Sequence, residues 1–286
     1  MKKTAYLFSC RRKIRALLKN KFIYLFLDYD GTLAPIVNTP GNAAIPKKTK
    51  GLLRQLSGMP DCKIAIISGR ALNDISSRLG LKNIVYVGNH GFEIKGPKID
   101  FKHPVPVQYR KMLEEIKYKL YKNLSLFKGV YIEDKGFSLS IHYRLADKES
   151  VPGIKAGFYD TIFLYEFKNK IQIKSGKMLL EVRPPVSWDK GKAVLWLLSR
   201  RLFAVQDKNK VLPVYIGDDV TDEDVFKSLK SRGLTIFVGK PKNTKARFYL
   251  NDTEEVARFL REVLRNLKGS IYGRDRKSKR TVSLLH

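Results

Sequence analysis

The chain has 286 residues, 43% of them hydrophobic, and carries 56 Lys+Arg against 27 Asp+Glu for a formal net charge of +29. That length and apolar content exclude a disordered chain and leave room for one large domain or two modest ones. No run approaches the roughly 18 apolar residues of a membrane span, and Cys10 and Cys62 lie in contexts too unlike for a framework disulfide, which suits a reducing cytoplasm.

The opening Met1-Lys2-Lys3 resembles the start of a signal peptide, but the apolar piece after it, Ala5 to Phe8, is too short and runs into Arg11-Arg12-Lys13. Residues 1–21 therefore read as a basic leader with no assigned role. The apolar run Phe22 to Leu27 predicts a buried strand of a parallel sheet, and it breaks into Asp28-Tyr29-Asp30-Gly31-Thr32. A strand ending in Asp-x-Asp delivers both acids to the carboxyl edge of the sheet, where open α/β folds bind ligands. A helix from about Pro46 to Ser57 follows. Lys63 to Ile67 predicts a second strand, ending at Ser68-Gly69-Arg70, and Leu72, Ile75 and Leu79 keep helical spacing. Ile84 to Val87 predicts a third strand, ending in Gly88-Asn89-His90-Gly91. The alternation argues a doubly wound parallel sheet.

Pro97, Pro104 and Pro106 mark a boundary, after which Tyr109, Met112, Leu113, Ile116 and Leu120 define an amphipathic helix. Val130 to Glu133 and Phe137 to His142 are joined by Asp134-Lys135-Gly136, the spacing of a hairpin. Val151 to Leu164 is ambiguous because Pro152, Gly153 and Gly157 weaken a helix. Ile171 to Ile173 and Met178 to Val182 predict a further strand pair around Ser175-Gly176. Residues 105–186 thus read as an α+β insertion with its own small core. Beyond Pro184-Pro185, Asp189 can cap a helix with Lys190 in its first turn. Val211 to Ile216 predicts a fourth core strand ending at Gly217-Asp218-Asp219, and Thr221 is placed to cap the next helix, with Asp222 in its first turn. A fifth strand, Leu234 to Val238, precedes a last helix capped at Asp252 or Thr253 and apolar to Leu267. The dense cluster Gly273 to Arg280 reads as a frayed basic end.

Several strand ends thus converge on one edge with Lys190 beside them. Hard carboxylate oxygens suit Mg²⁺, which is held through one or two carboxylates plus a substrate phosphate, and a carboxylate can serve as nucleophile.

Asp28-Tyr29-Asp30-Gly31-Thr32, Ser68, Lys190 and Gly217-Asp218-Asp219-Val220-Thr221-Asp222 resemble the four motifs of the haloacid dehalogenase superfamily phosphatases. Ile67-Ser68-Gly69-Arg70, Asn89-His90-Gly91, Glu133-Asp134-Lys135, His142-Tyr143-Arg144 and Leu180-Glu181-Val182-Arg183-Pro184 are similar to signatures of the trehalose-6-phosphate phosphatases, over about 22–267. The resemblance implies a Rossmann-like α/β core of parallel strands (22–104 and 187–268), an inserted α+β cap (105–186) and a basic tail (269–286). It implies Asp28 as nucleophile and Asp30 as general acid and base. Mg²⁺ is then held by Asp28, Asp218 and the Asp30 backbone carbonyl, with Asp219 and Asp222 supporting the metal waters and Lys190. Thr32, Ser68 and Lys190 would hold phosphoryl oxygens, and Gly69, Arg70, Asn89 and His90 would line the substrate. Glu133, Lys135 and Glu181 match positions that bind the glucose unit remote from the phosphate; Arg183 has no assigned contact. The implied partners are the phosphosugar itself and a separate trehalose-6-phosphate synthase.

The rival enzyme is another capped sugar-phosphate phosphatase, acting on sucrose phosphate or mannosylphosphoglycerate. The rival from another class is a basic binding protein with an inactive phosphatase-like fold, docking nucleic acid or acidic lipid. The net charge motivates it, but no aromatic-studded RNA motif or zinc-ligand set supports it. The lysines are spread along the chain and read as a solvated surface.

Overall fold

The computed structural model describes residues 4–37, 40–176, 178–203 and 210–282. The chain opens with β1 (Ala5–Tyr6), a short 3-10 turn and α1 (Arg11–Leu18), then enters β2 (Phe22–Asp28), whose seven residues are all buried. Next come α2 (Lys47–Ser57), β3 (Cys62–Ile67), α3 (Leu72–Leu79), β4 (Val85–Gly88) and a hairpin of β5 (Glu93–Gly96) and β6 (Ile99–Lys102). The insertion supplies α4 (Val107–Leu124), β7 (Tyr131–Asp134), β8 (Leu139–His142), α5 (Val151–Phe167), β9 (Gln172–Gly176) and β10 (Leu179–Arg183). The chain then returns through α6 (Lys190–Phe203), β11 (Val211–Gly217), α7 (Glu223–Leu229), β12 (Leu234–Val238), β13 (Phe248–Leu250) and α8 (Thr253–Val282).

Among the described residues, nine strands join one sheet in the order β1-β13-β12-β11-β2-β3-β4-β5-β6. It is parallel from β1 to β4, and the β5–β6 hairpin adds two antiparallel strands at one edge. Alternation along β2 divides the core: Ile23, Leu25 and Leu27 pack with α1, α2, α3 and α8, while Phe22, Tyr24 and Phe26 pack with α6 and α7. Asp28 is next in the second series, so β2 ends with its acid on the side where α6 begins. A second sheet, β7-β8-β10-β9, is antiparallel throughout. One of its faces, with Ile132, Leu139, Ile141, Leu180 and Val182, packs on α4 and α5. The intervening residues Glu133, Ser140, His142 and Glu181 share the opposite face.

The structure adds to or departs from the sequence reading at five places. The leader, given no role above, joins the core: Met1–Lys3 lie outside the described residues, but β1 pairs with β13, and Leu7, Phe8, Ile14 and Leu18 are buried in the main core. The stretch from Val151 is a continuous helix, because Pro152 falls in its first turn, where the missing N–H is harmless, and Gly157 lets the Leu124 side chain approach. The helix after β11 is not capped by Thr221; Asp219 caps the 3-10 turn Val220–Asp222 in a box with Asp222, and α7 starts at Glu223. The basic end is not frayed through its length: no proline interrupts the sequence, and the α8 backbone stays helical to Val282. The β5–β6 hairpin lies where the prolines suggested only a boundary.

Candidate active site

The carboxyl ends of β2 and β11 lie side by side, since β11 pairs with β2 in register up to Ile216 and Leu27. Asp28 is 5% exposed, and its Oδ1 accepts the Lys190 ammonium at 2.7 Å. Lys190 reaches there because it opens α6, whose first turn is set by the Asp189 carboxylate accepting the Lys192 N–H at 2.8 Å. The same ammonium donates to Asp222 Oδ1 at 2.8 Å. Asp222 is fully buried, and its remaining donors are Tyr215 Oη at 2.6 Å on Oδ1 and the Asp219 N–H at 3.0 Å on Oδ2. Asp218 accepts the Thr32 hydroxyl at 3.3 Å. Gly31 makes this approach possible: it has φ +79°, and a Cβ there would stand 2.1 Å from an Asp218 carboxylate oxygen.

Carboxylate oxygens of Asp28, Asp218 and Asp222 all lie within 4.8 Å of one another. The Lys190 ammonium bonds two of the three. Burial, with Asp222 and Asp218 repelling and Lys190 only partly compensating, lifts the Asp28 carboxyl well above the ordinary range. Burial and the Asp222 charge push Asp218 up to about 7. Lys190 is driven the opposite way: burial alone would lower it, but Asp222 and Asp28 hold the proton more firmly than in water. Such crowding of hard oxygen donors is compatible with a metal site, because a divalent cation removes the repulsion that burial magnifies. Asp222 already spends both oxygens on protein donors, which leaves Asp28 and Asp218 as the donors able to face an ion.

Asp30 is on the open side, and its carboxylate is clamped by Arg70, Nε to Oδ2 at 2.7 Å and Nη2 to Oδ1 at 2.6 Å. Arg70 also reaches Asp74 at 3.0 Å, and Asp74 accepts Arg78 Nε at 2.8 Å. Arg70, expected among the substrate ligands, is thus bound to acids of its own chain. The Ser68 hydroxyl accepts the Arg70 N–H at 3.1 Å, and the His90 N–H donates to the Ser68 carbonyl at 3.0 Å. Gly69 has to be bare, since a Cβ would lie 2.4 Å from the His90 ring.

Asn89 and His90 both have left-handed backbones, φ 50° and 55°. Two such non-glycine residues in succession are strained, and strain of this kind gathers at functional sites. The turn they form touches the inserted sheet. Asn89 Nδ2 donates to Glu93 at 2.7 Å and to the Lys135 carbonyl at 3.1 Å, and His90 Nε2 faces Glu181 Oε2 at 3.3 Å. Burial, outweighing the pull of Glu181, lowers the His90 imidazole to about 3, so the neutral ring donates from Nε2. Glu181 is 1% exposed, and beyond His90 it accepts Ser138 (3.0 Å), Ser140 (3.2 Å), Lys135 (3.3 Å) and Arg183 Nε (2.7 Å). Burial would raise its carboxyl, but Lys135, His90 and Arg183 together hold it well below the ordinary range. Glu181, expected at a sugar-binding position, is bonded here to groups of its own chain, Lys135 among them. Glu133, nearer the surface, accepts His142 Nε2 at 2.9 Å and lies 4.0 Å from the Lys135 ammonium.

Sequence reasoning missed Tyr215, Ser138, Ser140 and Asp74 as members of this network. Tyr215 reads as one more core aromatic. The serines had a signal, since they alternate with the apolar residues of β8. Asp74 had another, standing four residues from both Arg70 and Arg78, the spacing of helical neighbours. Asp219 was expected at the metal waters; it serves the turn after β11.

A sequence model of the family described as Trehalose-phosphatase matches residues 26–254. "Probable trehalose-phosphate phosphatase H" of Arabidopsis thaliana is 35% identical over 268 residues, covering 88% of this chain and 74% of that protein. The solved C-terminal domain of C. albicans trehalose-6-phosphate phosphatase superposes with a TM-score of 0.76 at 26% identity, covering 92% of this chain and 99% of that one. A haloacid dehalogenase-like hydrolase from Bacteroides thetaiotaomicron gives a TM-score of 0.60 over 85% of this chain and 100% of its own, at 14% identity, a likeness of fold alone.

Proposed function

The chain belongs to the trehalose-phosphatase family and is a phosphatase that releases phosphate from trehalose 6-phosphate, and we propose the following division of that work among its residues. Asp28 attacks phosphorus, the bond from phosphorus to the sugar oxygen breaks, and an aspartyl phosphate forms. Asp30 gives the departing oxygen a proton and then takes one from the water that attacks the phosphorus. That water releases phosphate and returns Asp28 as a carboxylate. Arg70 aims the Asp30 carboxyl until the sugar oxygen takes one of its two contacts. Thr32, Ser68 and Lys190 hold the phosphoryl oxygens, and Lys190 cancels charge that would otherwise repel the attacking carboxylate. Mg²⁺ fits the donor set, held by Asp28, Asp218 and the Asp30 carbonyl; when bound it neutralises phosphate charge.

The four-stranded sheet with α4 and α5, within 105–186, acts as the cap over a core formed by 22–104 and 187–268. Glu133 and Lys135 read sugar hydroxyls, and Glu181 with Arg183 fixes Lys135 for that task. Asn89 and His90 meet the cap when it closes, which excludes water during transfer. The free cysteines Cys10 and Cys62 and the absence of any helix long and apolar enough to cross a membrane, among the described residues, support a cytoplasmic site of action. A separate synthase supplies the substrate.

The observation that carries this reading is the Lys190 ammonium shared between Asp28 and Asp222. The test is phosphate release from trehalose 6-phosphate with and without Mg²⁺, beside Asp28→Asn. Activity should need the metal and fall by three or more orders of magnitude, on the order of ~10³-fold, in the variant. Full activity in Asp28→Asn removes it as nucleophile. Faster turnover of sucrose phosphate or mannosylphosphoglycerate under matched conditions removes the trehalose assignment.

A further inference from the structure

We propose that Tyr215 is a positioning residue for the phosphoryl transfer: its phenol fixes the Asp222 carboxylate, and through it the Lys190 ammonium beside Asp28. This rests on the role given above to Lys190. Tyr215 is fully buried in β11, on the sheet face shared with Phe26, and its ring meets Phe226 edge-on at 5.7 Å between centroids. Its neighbours in the strand, Val214 and Ile216, are apolar and equally buried. A hydroxyl in such a place costs stability unless it is bonded, and phenylalanine would fill the same volume without that cost. The hydroxyl has one partner of consequence: it donates to Asp222 Oδ1 at 2.6 Å.

That oxygen is the one that also accepts Lys190, at 2.8 Å. The other oxygen is held by the Asp219 N–H at 3.0 Å. The carboxylate lies against the bare backbone of Gly217, where a Cβ would come within 2.4 Å of it. Asp222 is thus gripped from the sheet by Tyr215, from the following turn by Asp219, and from α6 by Lys190. Removing the phenol leaves Oδ1 with the ammonium alone. The carboxylate is then free to turn toward Lys190, and the ammonium to leave its 2.7 Å contact with Asp28. The consequence falls on the chemical step and not on sugar binding, because Tyr215 is closed off from the cleft.

The experiment is a double-mutant cycle on the full chain with Mg²⁺, using Tyr215→Phe, Asp222→Asn and the pair, each checked for folding by thermal unfolding. Tyr215→Phe should lower kcat for trehalose 6-phosphate by about 10–150-fold, the range of one hydrogen bond to a charged group, with KM within about twofold. In the Asp222→Asn background the same change should lower kcat by less than about twofold, since the group it acts through is already altered. Unchanged kcat in Tyr215→Phe overturns the proposal, and so does an equal loss in both backgrounds, which marks a general packing role. A rise confined to KM also overturns it. Running the cycle on p-nitrophenyl phosphate separates two failures: turnover of that ester but not of trehalose 6-phosphate sinks the substrate assignment, while the cycle still decides on Tyr215.

Discussion

His90 shows how a single side chain can carry a pH dependence of stability. Its imidazole is lowered to about 3 by burial, while the unfolded chain titrates near 6.5. Between those values the unfolded state binds a proton that the folded state refuses. Stability contributed by the neutral ring is therefore complete above about 6.5 and lost steadily as pH falls toward 3. From pH 7 to pH 5 the wild type should lose about 2 kcal/mol to this residue alone, and His90→Gln should lose correspondingly less in paired denaturant titrations. Glu181, held low, adds its own loss only below the ordinary glutamate range of about 4.5. At this scale the sequence was legible where chemistry and position coincide. Asp28 ends an apolar strand, and Lys190 opens a helix behind a capping aspartate. It was opaque where a role depends on a partner distant in the chain. Nothing local distinguishes Tyr215 from Tyr24, another buried aromatic of the same sheet face, or says that Glu181 will collect donors from β8, the β7–β8 turn and β10.

Elements were legible where periodicity was uninterrupted, and the leader was not. Its apolar residues are diluted by Arg11, Arg12, Lys13 and Arg15, and a two-residue strand leaves no pattern. Yet β1 continues the sheet beyond β13, and Phe8 is flanked by two guanidinium groups, Arg11 at 5.2 Å and Arg258 at 4.3 Å from its ring centre. Ile14 and Leu18, one turn apart and each 2% exposed, fasten α1 to the core. Truncating either to alanine should cost about 2–4 kcal/mol in equilibrium unfolding, with kcat per folded molecule unchanged. A loss of less than half a kcal/mol would return the segment to the status of an appendage. The β5–β6 hairpin was hidden for a different reason. Apart from the buried Ile94 its residues are exposed or half-buried at a sheet edge, so they lack the run of apolar residues that marks β2.

For the whole molecule, the net charge of +29 and the buried lysine make separable contributions. Exposed lysines attract a phosphorylated sugar over a range set by the salt, about 10 Å at 0.1 M. Lys190 is 4% exposed and escapes that screening. Raising ionic strength from about 0.05 to 0.5 M should therefore raise KM several-fold, on the order of ~3-fold or more, and leave kcat nearly constant. A parallel fall in kcat would mean that the field of the surface reaches into the chemistry. The strand order has a consequence in time as well as in space. β2 pairs on one side with β3, close behind it in the chain, and on the other with β11, which is made only after the whole insertion. A ribosome therefore delivers Asp28 early and its lysine and acidic neighbours late. Through most of synthesis the growing chain has an aspartate and no active site, and the newborn protein becomes an enzyme only when its second half closes against its first.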